Sequence, residues 1–330
     1  MTAKELARKL HLSEATVSLV LNGKPGIKKA TRDRVLAAAK EHHICVKDRQ
    51  NRSRNIYLLR YKAHQTALSD SSFSDAVIEG MELACRDHNY FLNTRAVIGR
   101  SALISQMKLL KESDIAGLLI MGNELTGEDI RSLIQVSYPI VLVDSMPPSS
   151  PYDSVTIDNI DGAFTAVNFL ISRCGSQPGY LRSSFPINNF DERRTGFNQA
   201  LRYNGMAPSA SIIHLLPPSI DGAYGEMSAL LQSGIKLASC YFADDDLIAI
   251  GALRAFRDHN IKIPDDVAVI GFDDIMMSTY TEPPLTTIHV PRHQLGAVSI
   301  RRLLDLIDDP ISFPVRIQVT TSLVIRESIR

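Results

Sequence analysis

Basic side chains are concentrated in the first 54 residues of this 330-residue chain. That segment holds thirteen Lys and Arg against five Asp and Glu, whereas the whole chain carries 36 of each and is neutral. The other residues therefore carry a matching acidic excess. Ser13, Thr16 and Ser18 add hydroxyl groups that can donate hydrogen bonds to phosphate oxygens. These features predict an N-terminal segment that binds a polyanion, with a solvated basic tail as the alternative.

Helical patterns in the same segment argue against a tail. Thr2 and Glu5 match a capping box, and Ser13 can cap a second helix that ends near Asn22. A third helix is predicted over residues 30–41. Two short helices joined by a brief turn form a helix-turn-helix, which places its second helix in the major groove of DNA. A plain three-helix bundle is the alternative.

Beyond residue 54, short apolar runs alternate with helical patterns up to about residue 160, and the alternation then repeats to about residue 271. This pattern predicts an α/β fold with two doubly wound subdomains, each a parallel sheet with helices on both faces. Ligands of such sheets bind beyond the carboxyl ends of the strands. A cleft between the two subdomains is therefore the expected pocket.

Sequence motifs for several other kinds of chemistry are missing. No GxGxxG follows the first strand, and neither GxxxxGK[ST] nor GxSxG occurs, so we expect no dinucleotide site, phosphate loop or hydrolase nucleophile. The four cysteines form no CxxC pair. Three adjacent acids, residues 244–246, could suggest a metal, but their place at a predicted helix start favours capping, by Asp246 above all. We expect no enzyme activity, no cofactor and no metal.

The apolar runs are too short to cross a bilayer. The first five residues contain no apolar signal segment. We therefore expect a cytoplasmic protein with reduced cysteines and no membrane partner.

Several segments match the patterns of one family. Residues 15–23 nearly complete the pattern ATVS-x-VLNG, and residues 31–38 continue it. Further matches in the body are residues 140–144, 191–201, 242–254, 264–274, 283–290 and 323–328. On these segments, which span nearly the whole chain, the protein resembles the LacI/GalR family of transcriptional regulators.

The resemblance implies a helix-turn-helix headpiece and linker at residues 1–54. It also implies a periplasmic-binding-protein-like core for effector binding and dimerisation at residues 55–330. The N-subdomain would comprise about 55–159 and 288–320, and the C-subdomain about 160–287 and 321–330. Strands near residues 287–289 and 318–322 would cross between the two subdomains.

The function that the resemblance implies is a homodimeric, sequence-specific regulator that binds a palindromic operator in double-stranded DNA. It would repress an operon for carbohydrate utilisation. A sugar or sugar-like effector bound in the cleft would control its affinity for the operator. A small-molecule binding protein without a regulatory role is one alternative, and a sugar-processing enzyme is another. A ligand that closes the cleft would couple effector affinity and operator affinity reciprocally.

The residues expected to contact DNA lie on or beside the second helix, at the ends of the other helices and in the linker. They are Thr2, Ser13, Glu14, Ala15, Thr16, Ser18, Leu19, Asn22, Lys28, Thr31 and Arg52. Two positions depart from the family pattern. Leu19 stands where the family usually has Arg or His, and it can contact a thymine methyl group but cannot hydrogen-bond a base. Ser53 replaces the leucine that the family inserts into the minor groove.

Matching the family pattern residue by residue gives five effector-binding candidates. They are Phe73, Asp144, Arg193, Asp245 and Asp273. A guanidinium and several carboxylates suit the vicinal hydroxyls of a sugar or the polar groups of a nucleoside-like ligand.

Each candidate has a simpler structural explanation. Arg193 could pair at the surface with Asp191 or Glu192, and Phe73 could belong to the core. Asp245 replaces the Asn that is usual in the family, which predicts an effector unlike the commonest sugars. Asp274, next to the last candidate, could brace the loop that follows it.

Overall fold

The chain divides at Arg54 into two units, residues 1–54 and residues 55–330. The coordinates are a computed structural model that describes residues 2–21, 26–42, 53–63, 71–133, 136–309 and 313–330. Two of the DNA-contact candidates, Asn22 and Arg52, lie outside these residues. Within the described ranges, no helix is both long and apolar enough to span a membrane.

The first unit contains three helices, α1 (Ala3–Leu10), α2 (Glu14–Leu21) and α3 (Lys29–Glu41). The predicted capping box is present: the Thr2 amide donates to the Glu5 carboxylate, and the Glu5 amide donates to the Thr2 hydroxyl. Ser13 caps α2, since its hydroxyl accepts from the Thr16 amide at 3.0 Å. Apolar side chains from all three helices form one small core, Leu6, Ala7, Val17, Val20, Leu21, Val35 and Ala39. The helix-turn-helix prediction is confirmed.

The second unit alternates strands and helices. Its strands are β1 (Asn55–Lys62), β2 (Phe91–Ile98), β3 (Gly117–Met121), β4 (Ile140–Val143), β5 (Asp153–Ile157), β6 (Gly179–Ser183), β7 (Ile213–Leu216), β8 (Cys240–Ala243), β9 (Ala268–Ile270), β10 (Thr287–His289), β11 (Arg316–Val319) and β12 (Ser322–Val324). Its helices are α4 (Ser71–Asp87), α5 (Arg100–Lys111), α6 (Gly127–Ser132), α7 (Asn159–Cys174), α8 (Asn188–Tyr203), α9 (Ile220–Gln232), α10 (Asp246–Asp258) and α11 (Arg292–Asp308).

Two parallel sheets form the layers of this unit. The first has the order β11-β5-β4-β3-β1-β2, and the second has the order β7-β6-β8-β9. Alternate residues of β1 face opposite sides, with Ile56 and Leu58 packed towards α4 and α11 and with Leu59 and Tyr61 packed towards α5. The second sheet is likewise covered by α7 and α8 on one face and by α9 and α10 on the other. The predicted fold class, doubly wound parallel sheets, is confirmed.

The segments that connect the two sheets differ from the prediction in one respect. Residues 318–322, where a crossing strand was expected, are divided between the ends of two strands. Strand β11 ends at Val319 in the first sheet, and β12 begins at Ser322 and pairs antiparallel with β10. The apolar side chain of Val319 is half-buried against the first sheet, whereas the register of β12 is set by its pairing with β10. One continuous strand cannot make both sets of contacts.

Candidate functional site

The five effector candidates line a single pocket in the second unit. Phe73 lies on α4 and Asp144 directly follows β4 of the first sheet, whereas Asp245 and Asp273 follow β8 and β9 of the second sheet. The pocket therefore lies where the carboxyl ends of both sheets face each other, as the geometry of parallel sheets predicts. It encloses about 620 Å³, including the open space at its mouth.

Arg193 on α8 is the central cation of the pocket and is buried. Its Nε donates to Asn159 Oδ1 at 3.0 Å, and one terminal nitrogen donates to the Asp244 carbonyl at 2.5 Å. The other terminal nitrogen donates to Asp273 Oδ1 at 2.9 Å. The guanidinium carbon lies 3.8 Å from the centroid of the Phe272 ring. The surface pair with Asp191 or Glu192 is therefore excluded for Arg193.

Burial disfavours the charged form of Arg193, but the surrounding carboxylates, Asp273 first among them, outweigh it and raise its pKa. Three of its N–H groups have protein acceptors among the described residues. The guanidinium is planar and rigid, so these bonds fix its orientation towards the pocket.

Asp144 is buried at the end of β4, and its φ of 55° is in the left-handed region that side chains other than glycine rarely adopt. Asn189 Nδ2 donates to Asp144 Oδ1 at 2.9 Å. Burial raises the pKa of Asp144 to about 7, although the Asn189 bond and the charge of Arg193 act in the opposite direction. The carboxyl therefore changes protonation state near neutral pH in the empty pocket.

Asp245 has two roles at the start of α10. Its Oδ1 caps the helix by accepting from the Ile248 amide at 2.7 Å, and its side chain also lines the pocket. Burial raises the pKa of Asp245 to about 7, and the nearby negative charge of Asp273 adds to the effect.

The expectation that Asp246 is the cap is wrong by one residue. Asp246 is the first residue of α10, and its carboxylate accepts from Thr287 Oγ1 at 2.6 Å and from the Ile275 amide at 3.0 Å. Both donors lie outside α10, and Thr287 belongs to β10. The carboxylate of Asp246 therefore holds a connecting strand instead of capping its own helix.

Asp273 and Asp274 follow β9 with φ values of 109° and 52°. Such strain in residues other than glycine persists where the surrounding structure enforces it, and it is typical of ligand sites. Asp273 faces Arg193. Asp274 instead accepts from Arg326 at 2.5 Å and from His289 Nδ1 at 2.8 Å, so its side chain braces the connecting segments and not the loop that follows it. Burial opposes ionisation of Asp274, but Arg326 and His289 outweigh it and lower its pKa.

Six further residues line the pocket that the sequence did not single out. They are Asn123, Ile187, Asn189, Phe190, Pro218 and Leu247. A signal for two of them existed, because Asn189 and Phe190 lie four and three residues before Arg193 and therefore share its helix face. The helix itself starts at Asn188, after Ile187, which makes no side-chain cap bond.

The DNA-contact candidates of the first unit lie mostly on exposed positions of α2 and its surroundings. Val17, Val20 and Leu21 bury one face of α2. The exposed candidates are Thr2, Ser13, Glu14, Ala15, Ser18 and Lys28, and the half-buried ones are Thr16, Leu19 and Thr31. Glu14 lies 3.5 Å from Lys4, and the Thr16 hydroxyl lies 2.7 Å from that of Ser13. Their contacts with DNA remain predictions.

The raised pKa of Asp245 predicts a measurable change in stability for Asp245→Asn, since Asn is an equally good helix cap. The folded pKa is about 7 and the ordinary value is 3.8. The Asp245 carboxyl therefore stays protonated up to a higher pH in the folded state than in the unfolded state. As pH rises between these two values, the carboxyl increasingly destabilises the ligand-free folded protein. We expect Asp245→Asn to raise the free energy of unfolding by about 2 kcal/mol more at pH 8 than at pH 5.

Thermal or denaturant unfolding of the ligand-free protein at the two pH values measures this difference. The matched control is Glu226→Gln, at an exposed acid on α9. An equal effect of Asp245→Asn at both pH values would contradict the assignment of a buried, repelled carboxylate at this position.

Comparison with known families agrees with both units. Residues 2–43 match the family described as bacterial regulatory proteins, lacI family, and residues 168–329 match a periplasmic binding protein-like domain. The regulator GalS of Salmonella typhimurium is 30% identical over 320 residues, which cover 91% of this chain and 88% of GalS. The repressor CytR of Escherichia coli is 30% identical over 318 residues, which cover 92% and 89% of the two chains.

Solved structures show the same fold. A complex of the regulator CelR with cellobiose has a TM-score of 0.72 and 24% identity, with 99% of each chain covered. The lac repressor dimer bound to operator and an anti-inducer has a TM-score of 0.73 and 22% identity, with 99% of this chain and 98% of the repressor covered.

A helix-turn-helix unit joined to a two-sheet core with a polar pocket is the architecture of a DNA-binding transcriptional regulator. The chain belongs to the LacI family of these regulators, at an identity of 30% over nine tenths of its length with GalS. Because the family consists of regulators, the alternatives of a sugar-processing enzyme and of a binding protein without a regulatory role are set aside.

Proposed function

We propose that the operator affinity of this regulator is controlled by a small polar ligand, a sugar or sugar-like molecule, that binds between the two sheets. The observation that carries the proposal is the convergence of Arg193, Asp144, Asp245 and Asp273 in one buried pocket. Such groups hold ring hydroxyls by charge-assisted hydrogen bonds. Related proteins of known structure hold cellobiose and ribose, which supports the same class of ligand here.

The connecting segments offer a physical route from the pocket to the rest of the core. Asp246 and Asp274 hold β10 and the segment after β12, and each directly follows an aspartate that lines the pocket. A ligand that draws the two sheets together therefore acts on the bonds that these segments make. Such a change alters the core to which the headpieces are joined, and binding of ligand and of operator become linked.

The regulator is proposed to act as a homodimer on a palindromic operator, because one helix-turn-helix reads too few base pairs for specificity. Exposed apolar side chains on the core support self-association. They lie on the edge formed by α4 and β2, at Leu83, Phe91 and Ile98, and on the short 3₁₀ turn, at Met276, Met277 and Tyr280.

The test combines ligand binding with DNA binding by the full chain. A thermal-shift screen of sugars identifies ligands, since a ligand that binds the folded state raises its apparent stability. An operator selected from random duplex DNA is then titrated with and without each ligand. We expect a stabilising sugar to change operator affinity at least about fivefold. A ligand that stabilises the core and leaves operator affinity unchanged would reject the proposed control.

The DNA-reading role of α2 predicts that Ser18→Ala weakens operator binding. Ser18 is exposed on α2, and loss of one hydrogen bond per headpiece should reduce the affinity of a dimer by about tenfold or more. Quantitative footprinting and a fluorescence anisotropy titration measure the change. Ser101→Ala, at an exposed position of α5, is the control. Equal operator affinity of both variants would remove Ser18 from the interface.

A further inference from the structure

Among the described residues that line the pocket, acidic groups outnumber basic ones. Three carboxyl groups, those of Asp144, Asp245 and Asp273, line it together with one guanidinium, that of Arg193. The guanidinium is already directed at Asp273, 2.9 Å away, and at the Asp244 carbonyl. The attraction of this cation is therefore largely committed to groups of the protein.

Asp144 and Asp245 lack a cationic partner among the residues that the structure describes. Asp144 accepts from the amide of Asn189, and Asp245 accepts from the amide of Ile248, and each carboxylate has a second oxygen beyond these bonds. Both side chains are buried, at 5% and 7% exposure. A buried carboxylate without a counter-charge is costly, so one that faces a ligand pocket favours a ligand that brings positive charge.

Apart from Arg193, the charged groups that act on the two carboxylates are themselves negative. Asp273 and Glu192 act on Asp144 as further negative charges, and Arg193 is its nearby positive charge. Asp273 and Asp244 repel Asp245, and Arg193 again supplies the attraction. In the part of the chain that the structure describes, Arg193 is thus the shared cation of Asp144 and Asp245.

We propose, resting on the function proposed above, that the effector is a polyhydroxylated ring that bears a protonated amine, with Asp245 as the counter-ion of that amine. The remaining carboxylate oxygens accept from ring hydroxyls, and any free N–H of Arg193 donates to a hydroxyl oxygen. Anionic sugars, such as sugar phosphates and sugar acids, are disfavoured because they would add negative charge beside Asp144 and Asp245.

The walls of the pocket strengthen this selectivity. Phe73, Phe190 and Leu247 line it with apolar surface, which excludes water and makes a charge pair stronger than in solvent. The aromatic faces can also contact a ring or a cation directly. Asp245 stands at the position where the resemblance to the family leads one to expect Asn, so one negative charge distinguishes this pocket from the usual pattern. Asp245 is thus the specificity-determining residue.

Proton release on ligand binding provides an independent signature. Burial raises the pKa of Asp245 to about 7, so the carboxyl is partly protonated in the empty pocket at pH 6.5. An ammonium beside it stabilises the ionised form, and binding therefore releases a proton from Asp245. A neutral sugar provides no such charge and should release fewer protons.

The experiment uses matched probes with the full chain. Glucose, galactose and mannose are compared with their 2-amino derivatives and their 6-phosphates, by thermal shift and by calorimetry at pH 5.5 and pH 7.0. Calorimetry in two buffers of different ionisation enthalpy counts the protons released. The protein variants are the unchanged chain, Asp245→Asn, which keeps the helix cap, and Glu226→Gln as a surface control.

We expect at least one amino sugar to bind the unchanged chain about tenfold or more tightly than its neutral parent, with higher affinity at pH 7.0 than at pH 5.5 and with proton release. Asp245→Asn should lose that preference and the proton release, whereas Glu226→Gln should keep both. The 6-phosphates should bind more weakly than the neutral sugars in every variant.

Two results would overturn the proposal in distinguishable ways. If a neutral sugar or a phosphate stabilises the protein and no amino sugar binds more tightly, the cationic class is wrong while control by a sugar survives. If no probe of any kind stabilises the chain although it binds its operator, both the cationic class and the sugar class fail. A preference for the amine that persists in Asp245→Asn would remove Asp245 as its counter-ion.

Discussion

Arg193→Ala should abolish the response to effector while leaving operator binding within about twofold of the unchanged protein. Three hydrogen bonds of the guanidinium join α8 to Asn159, to the Asp244 carbonyl and to Asp273. Removal of the side chain takes away the one cation among the described residues that line the pocket, and with it the ion pair between Arg193 and Asp273. We expect ligand affinity to fall by about 100-fold or more, since truncation of one partner of a buried charge pair costs at least about 2–5 kcal/mol.

The same substitution should destabilise the core by about 3 kcal/mol, because the buried Asn159 side chain and Asp244 carbonyl lose the donor of their hydrogen bonds and the half-buried Asp273 loses this cation. A loss of ligand binding could then reflect poor folding, so a second variant is needed. Arg193→Lys keeps the positive charge, so it should be more stable than Arg193→Ala. A lysine ammonium lacks the planar guanidinium that reaches all three acceptors, so this variant should still lose the response to effector. Arg202→Ala, at an exposed position of the same helix, is the matched control. Unchanged induction by Arg193→Ala would remove Arg193 from the site.

Operator affinity should fall by a factor of about 10³ or more between 50 and 200 mM salt. This expectation is for a dimer that binds the DNA with the headpiece of each chain. The first 54 residues carry thirteen Lys and Arg against five Asp and Glu. Phosphate contacts by such residues release bound cations from the duplex, and salt opposes that release. Fluorescence anisotropy at a series of salt concentrations gives the slope.

Lys28→Gln makes this prediction residue-specific. Lys28 is exposed just before α3, and each lysine that contacts a phosphate adds about 0.9 to the slope of log affinity against log salt. The variant should therefore show a shallower slope, by about one unit or more for the dimer. Lys236→Gln, at an exposed position of the acidic core, should leave the slope unchanged. Salt-independent operator binding would contradict the role of the basic segment.

Local signals in the sequence predicted the helix starts that side chains fix. Thr2 and Glu5 form their capping box, and Ser13 caps α2, because each bond joins residues only three apart. The start of α8 was missed because Ile187 provides no such bond. The choice between Asp245 and Asp246 as the cap could not be made locally, because it depends on the bond between Asp246 and Thr287, 41 residues away.

The charged members of the pocket were found by matching family patterns, whereas most of its uncharged members were not. Ile187, Pro218 and Leu247 are ordinary core residues by type, and only the approach of the two sheets brings them to the pocket. The left-handed backbone at Asp144 and Asp273 was also unpredictable, since aspartate rarely adopts it. The sequence indicates the residue types and the positions of the strand ends. It does not indicate the long-range packing that decides which side chains face the pocket.

Adjacent aspartates divide two tasks at the ends of β8 and β9. Asp245 and Asp273 line the pocket, whereas their successors Asp246 and Asp274 hold the connecting segments. Mutations that alter which molecule is recognised can therefore arise one position away from those that alter how strongly recognition is transmitted. A lineage of such sensors could exchange inducers while retaining its switch, and laboratory reprogramming of this chain should vary the first member of each pair and leave the second untouched.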